Sequence, residues 1–341
     1  MWSYFVRRLL LVIPTFIGIT LVVFLIMHFV PGGPVERQIM RLRMAAMTEG
    51  GAGAGRVDVE LPQEAIDQIR AYYGFDKPVH VRYGQWLSNV IRLDLGNSYI
   101  YQDPVWHVIK SRFPVSIMIG LTGFVLSYLV CVPLGILKAV KHGSKFDVLS
   151  SVLVFVGYAV PGWALGTALL VLFGGGSFWS IFPLGGFRSD GWEYLTWWGK
   201  VTDQVRHMFL PVMCYMIGGF ATLTILTKNS LMENMSQDYV RTAFAKGLHP
   251  RRVIFVHALR NSLIPLATGL GHVFSLILAG SFLIERVFNI DGMGYLGYTA
   301  ILQRDYPVAL GILVVSSLLM LIGNIISDVI YAAVDPRIRF R

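Results

Sequence analysis

Few groups in this 341-residue chain could carry chemistry, because 14% of it is charged and 55% is hydrophobic. A phosphate-cradling loop requires Gly-x-x-x-x-Gly-Lys-Ser/Thr, so that backbone N–H groups and a lysine converge on a triphosphate. Gly199-Lys200 is followed by Val201 and lacks the first glycine. No His-Glu-x-x-His zinc site, Gly-x-Ser-x-Gly nucleophile turn or clustered catalytic dyad occurs either. Cys131 and Cys214 each lie in an apolar run with no second Cys or His at ligand spacing, which indicates neither a metal site nor a disulfide framework. The chain reads as a non-enzyme with no catalytic residue, no metal site and no cofactor of its own.

The remaining suspects are polar groups within or beside apolar runs, because leaving such groups in lipid costs a few kcal/mol. They are His28, His272, Asn324 and Asp328, with Glu285 at the end of a run. His272 and Asn324 are candidates for a translocation path, although an interhelical hydrogen bond is the plainer role for His272. Glu285 is a candidate for a gate or for contact with a docking protein. Asp328 is expected to pair with a basic loop residue.

These groups are carried by six apolar runs: Leu9 to Val30, Pro114 to Val140, Leu149 to Phe173, Phe209 to Leu226, Leu263 to Ile284 and Val308 to Val334. Each approaches or exceeds the 20 or so helical residues that cross a bilayer core of about 30 Å. With a mean hydropathy of +0.59, the expected fold class is an all-α membrane protein with six transmembrane helices. The first run is preceded by Arg7 and Arg8 like a secretory signal, but it is too long for one and ends in Pro31-Gly32-Gly33-Pro34 instead of a small-residue cleavage site. The net charge of +9 reads as topology. Lys and Arg flank the apolar runs, whereas a nucleic-acid protein would gather them on a solvated face. Fourteen lie at the ends that share a side with both termini, five lie in the two short opposite connections and ten lie in the long first connection. Both termini are therefore expected in the cytoplasm.

Four regions follow: an N-terminal helix (1–30), an outer connection (31–113), a five-helix core (114–334) and a cytoplasmic tail (335–341). The outer connection has a Gly-rich stretch from Glu49 to Gly55 that reads as a flexible insertion. After it, Pro62, Ile66, Ile69, Tyr73 and Gly74 are spaced as a short amphipathic helix, and Trp86, Leu87, Val90 and Ile91 suggest a second. Both could cap the bundle or lie in the membrane interface. Phe178, Trp179, Trp192, Tyr194, Trp197 and Trp198 form a further aromatic group of the kind that collects at the interface, with a docking protein or substrate as the other possible contact.

The inner connection between the fourth and fifth runs is the most informative. A short helix through Tyr239, Arg241, Thr242, Ala243, Ala245 and Lys246 should end at Gly247, a residue that enters the left-handed region freely. A second helix should begin at Pro250-Arg251, since proline loses nothing in a first turn. The expected product is a rigid elbow over 228–262. Small Ala243 and Ala245 would admit another surface, and Val253, Ile254, Val256 and Leu259 would anchor the second helix. On residue properties alone, an amphipathic loop with a solvated basic face explains the stretch equally well.

Thr242-Ala243 with Gly247 and Leu263-Ile264-Pro265 resembles the loop that ATP-binding-cassette importer permeases insert into their ATPase subunits, with Arg241 where the general pattern has an acid. Arg7 to Thr15, Pro31 to Pro34, Tyr73 to Pro78, Leu93 to Tyr99, Ile284-Glu285 with Gly292-Met293-Gly294, Asp305 to Val308 and Asp335 to Ile338 resemble the oligopeptide and dipeptide branch. The Gly-rich insertion and Leu226 to Ser230 resemble most the permeases that import peptides and microcin C. The resemblance implies a type I importer permease fold and pairing with a second permease subunit as a heterodimer. It also implies two ATP-binding cassette domains that hold ATP and Mg, a periplasmic peptide-binding protein, and residence among lipid in a bacterial inner membrane. Cargo selection in that family lies largely in the binding protein, which leaves peptides, antibiotic cargo and metal chelates such as nickel as cargo classes. A secondary transporter or channel is the rival reading; it would show internal repeats or ionisable groups deep in several spans, and neither stands out.

Overall fold

Apolar sequence uninterrupted for five or more turns sets the longest elements. The computed structural model describes residues 2–29, 32–49, 62–175, 178–269 and 282–334. These include α1 (Trp2–Phe29), α2 (Pro34–Glu49), α3 (Gln63–Tyr72), α4 (Val79–Ile91), α5 (Val105–Val140), α6 (Lys145–Ala159), α7 (Gly162–Phe173) and α8 (Trp197–Met235). The chain continues through α9 (Asp238–Ala245), α10 (Pro250–Arg252), a π-helical turn (Val253–Ala258), α11 (Leu259–Ser262) and α12 (Ile264–Thr268). The last helices are α13 (Phe282–Val287), α14 (Met293–Leu302) and α15 (Tyr306–Val334). Among the described residues only two isolated bridges are β-like.

Four helices, α1, α5, α8 and α15, are long and apolar enough to cross a membrane. The expected third span, Leu149 to Phe173, is not one rod: α6 and α7 meet at 95°. Pro161 is the cause, because its ring disfavours helical geometry at the preceding residue, and Val160 is extended with φ −91° and ψ 119°. Counted as one broken span, the pair makes five. Most of the expected fifth run, including His272, falls outside the described residues. The second and fourth spans start earlier than their apolar cores, at Val105 and Trp197. For α8 the cause is local, since Thr196 Oγ1 accepts from Gly199 N and caps the helix.

The chain divides into two compact units: Met1–Leu10, Arg112–Leu296 and Leu318–Arg341 in one, and Leu11–Ser111 with Gly297–Ser317 in the other. In the first, Ile119, Met208, Leu210, Val212, Cys214, Ile284, Phe288 and Ile290 form a core. The broken span packs against it at glycines: a Cβ on Gly162 would lie 2.8 Å from Cys214 O, so only glycine permits this approach of α7 to α8. Asp328 pairs with Arg8 at the start of α1, a basic partner as expected, though on a helix instead of a loop.

In the second unit both expected short helices form, at α3 and α4, and Gly74 ends the first with φ +69°. Helix α4 lies along α1, where the Phe24 ring meets Tyr83 at 5.4 Å and Arg82 Nη1 reaches His28 Nδ1 at 2.8 Å. His28 is thereby satisfied by a neighbouring helix. Helix α2 is an addition: sequence reading gave no helix between Pro34 and Glu49. The glycines that follow Glu49 lie outside the described residues.

Candidate functional site

The elbow takes the expected helix–turn–helix form. Helix α9 closes through Lys246 N to Thr242 O at 3.1 Å and Leu248 N to Ala243 O at 3.4 Å, and Gly247 adopts φ +73°. His249 Nδ1 then accepts from Arg251 N at 3.3 Å and caps the helix that Pro250 begins. The elbow has two faces. Val240, Ala243, Val253 and Ala258 are buried with Ala139 of α5 and Leu231 of α8. Arg241, Thr242, Phe244, Ala245, Lys246, Gly247, Pro250 and Arg251 are exposed, as are Tyr239 at the hinge and Pro265 beyond it.

Two side-chain expectations need correction. Ala243 is part of the inner core, because residues two apart on a helix point roughly 200° apart and cannot share the outer face with Ala245. Val256 is exposed and Ala258 is buried in its stead. The π-helical turn Val253–Ala258 is responsible, since its i to i+5 repeat brings Val253 and Ala258 to one face.

The elbow is bolted to α8. Ser230 Oγ donates to Ser262 O at 2.9 Å, and Tyr239 Oη donates to Asn234 Oδ1 at 2.9 Å. Beside it lies an ionic clasp that sequence reading missed, having counted its lysines only as topology markers. Lys228 Nζ of α8 donates to both Asp147 carboxylate oxygens, at 2.8 and 2.7 Å. Lys138 of α5 is 1% exposed and donates to Asp147 O, Ser150 Oγ and Ser151 Oγ, with Asp147 Oδ1 at 3.2 Å. Gly143 N adds a further bond to Oδ2 at 3.2 Å. A signal was available: Asp147 is the only acid between Asp103 and Asp190, sits among Lys138, Lys141 and Lys145, and follows Ser144 at cap spacing. The clasp ties α5, α6 and α8 together next to the elbow.

Glu285 is 1% exposed, so it offers no surface to a docking protein. Its carboxylate accepts from Tyr295 N at 2.6 Å and faces Ser116 Oγ at 3.4 Å, and Ser116 Oγ in turn accepts from Met293 N at 2.7 Å. The acid therefore sits on the N-terminus of α14, where backbone N–H groups and the helix dipole favour negative charge. A Cβ on Gly292 would lie 2.6 Å from that carboxyl group, which explains the glycine. Asn324 is half-buried on α15.

Ser189, Asp203 and His207 also meet, with Ser189 Oγ 3.0 Å from His207 Nε2. They do not form a hydrolytic triad. Asp203 approaches the same ring nitrogen as the serine and His207 Nδ1 faces Gly186 O, whereas a triad acid holds the opposite nitrogen. This cluster fastens the loop before α8 to that helix. Between α5 and α8 runs an apolar groove of about 680 Å³, lined by Met118, Thr122 and Leu126 on one side and Val201, Val205 and Met213 on the other. Among the described residues no cluster of His, Cys, Asp or Glu could hold a metal ion.

The family described as "Binding-protein-dependent transport system inner membrane component" matches residues 131–340. The chain is 42% identical over 361 residues to the inner membrane ABC transporter permease protein YejB of Escherichia coli O157:H7, covering 100% of this chain and 99% of that one. It is 40% identical to the peptidoglycan transport system permease protein YejB of Agrobacterium fabrum, with 100% and 99% covered. It is 33% identical to the oligopeptide transport system permease protein AppB of Bacillus subtilis, with both chains covered completely.

Proposed function

Since the chain belongs to the binding-protein-dependent transport system inner membrane components, and is thus a multi-pass permease subunit of an ATP-binding-cassette transporter, we propose that it forms half of a path for oligopeptides or peptide-like compounds, microcin C among them. The family implies ATPase and binding-protein partners. A second permease of similar fold would supply the other half of the path, and ATP and Mg would bind on the ATPase subunits. Peptide cargo is suggested by the names of the relatives, and cytoplasmic termini by the distribution of Lys and Arg. The Arg8–Asp328 pair supports a shared side, since it joins the start of α1 to the end of α15.

The two-faced elbow carries the reading. One face is part of the protein core, and the other presents an exposed basic and aromatic surface. Such an element moves with the helices it is packed on when a partner grips its outer face. Closure of an ATPase dimer would then swing α8, with α5 and α6 attached through the Asp147 clasp, between inward-open and outward-open states.

The test is ATP-dependent uptake of a labelled oligopeptide by vesicles that carry the co-purified complex. Gly247→Pro cannot adopt the observed φ, and it should assemble in the membrane but lose uptake and peptide-stimulated ATP hydrolysis. Arg241→Glu with Phe244→Ala alters only exposed groups and should lower both activities while the protein folds normally. Peptide movement by the wild-type chain without an ATPase partner would overturn the reading in favour of a secondary transporter.

A further inference from the structure

The second unit contains a polar cavity of about 390 Å³ that the elbow mechanism does not use. Arg37 and Arg41 of α2, Tyr73 after α3, Tyr99 and Gln102 from the turn before α5, and Arg304 after α14 line it. Three guanidinium groups thus border one space. Among the described residues no ion pair joins an acid to Arg37 or Arg41. The nearby Asp305 is turned away, its carboxylate accepting from Ser98 Oγ and from Tyr99 N at 3.1 Å. Arg37 is oriented by donating to the carbonyls of Leu302 and Gln303 at the end of α14, and like charge from Arg304 and Arg41 adds to burial in weakening its hold on its proton. Burial pushes the Tyr99 phenol up to about 12, with Tyr73 beside it, so Tyr99 stays a neutral donor.

Backbone conformation gives an independent indication. Gln102 and Arg304 are two of only four non-glycine residues with positive φ among the described residues, at 59° and 54°. Arg304 occupies the C-terminal turn of α14, closed by Asp305 N to Ala300 O at 2.8 Å, where glycine would be unstrained. Strain retained at a cavity wall directs attention to what the side chain does there. An arginine at this position places a cation in the cavity that glycine would not.

We propose that this cavity receives an Asp or Glu side chain of the extracytoplasmic binding protein when it docks. The inference rests on the permease reading and names the acceptor surface for the partner that the family implies. Guanidinium forks hold carboxylates with paired hydrogen bonds, and tyrosine hydroxyls add neutral donors. The cavity has room for the tip of a loop, and its rim is open at exposed Arg41 and Tyr72. The long connection that supplies most of its wall lies on the outer side by the distribution of Lys and Arg.

The experiment measures binding of the transport system's own binding protein to the full importer complex in nanodiscs at two salt concentrations, together with stimulation of ATP hydrolysis. Arg304→Gly, and separately Arg37→Gln with Arg41→Gln, should each weaken binding by about tenfold and flatten its salt dependence. Arg304→Gly relieves the positive φ and should raise the thermal midpoint, which separates lost recognition from lost folding. Arg304→Glu should weaken binding further, and an Asp or Glu to Lys change on the binding protein should restore it. Wild-type affinity in these variants would overturn the cavity proposal and leave the importer reading standing, provided the binding protein stimulates the wild-type complex. Variants that lose a co-purifying anionic lipid while docking unchanged would also overturn it. A wild-type complex that neither binds the protein nor responds to it removes both readings.

Discussion

Asp147→Asn should be the most damaging change near the elbow that alters no apolar contact. One carboxylate serves two ammonium groups, and Lys138 is 1% exposed while Lys228 is 15% exposed at the side chain. Removing one partner of a buried ion pair costs about 3–5 kcal/mol, because the remaining charge has no counter-charge. In a chain of this size that corresponds to a fall of roughly 4–7 °C in the unfolding midpoint, readable by tryptophan fluorescence in detergent. Lys228→Met leaves Asp147 and Lys138 as a balanced pair and removes two charge-assisted bonds, so it should cost about 1.5–3 kcal/mol. The double variant then has a sign that contacts alone do not suggest: it should be more stable than Asp147→Asn, since one buried cation remains instead of two. A double variant less stable than Asp147→Asn would refute the shared-carboxylate account.

Gly135→Ala should separate α5 from α8, because its Cβ would lie 2.6 Å from Thr227 Cβ and 2.8 Å from Thr224 O. A loss of about 1–3 kcal/mol is expected, and an unchanged melting midpoint would contradict the close approach. Gly292→Ala should expel the Glu285 carboxyl group from the start of α14 and lower the midpoint more than Glu285→Gln, which keeps the shape and most of the polar contact. Equal midpoints for the two variants would mean that the glycine serves another purpose. Gly247→Ala should keep the elbow at a cost of about 1–2 kcal/mol from its positive φ, with uptake reduced less than in Gly247→Pro.

The Asp147 clasp and the Glu285 cap separate two ways in which a polar group near an apolar run can be accounted for. Sequence reading treated Glu285 as a gate or docking contact because an acid beside a membrane span must have a reason. Its reason here includes the N-terminus of α14, which cannot be located until the turn through Gly292 is folded. The clasp was overlooked because Lys138 and Lys228 are 90 residues apart in sequence and each looks like an ordinary cytoplasmic flank.

Length and periodicity alone determined the four long membrane-spanning helices, the short helices at α3 and α4, and the elbow with its Gly247 stop and Pro250 start. These are local properties: apolar length, helical spacing and the φ that each residue tolerates are written within a few consecutive residues. Tertiary structure decided the rest. The 95° break at Pro161 could have been a mild kink, and it is settled by glycines pressed against α8. The inward turn of Ala243, the exchange of Val256 for Ala258 and the sharing of Asp147 depend on which neighbour each helix face meets. That choice is made by contacts between residues far apart in the chain, and no local pattern encodes them.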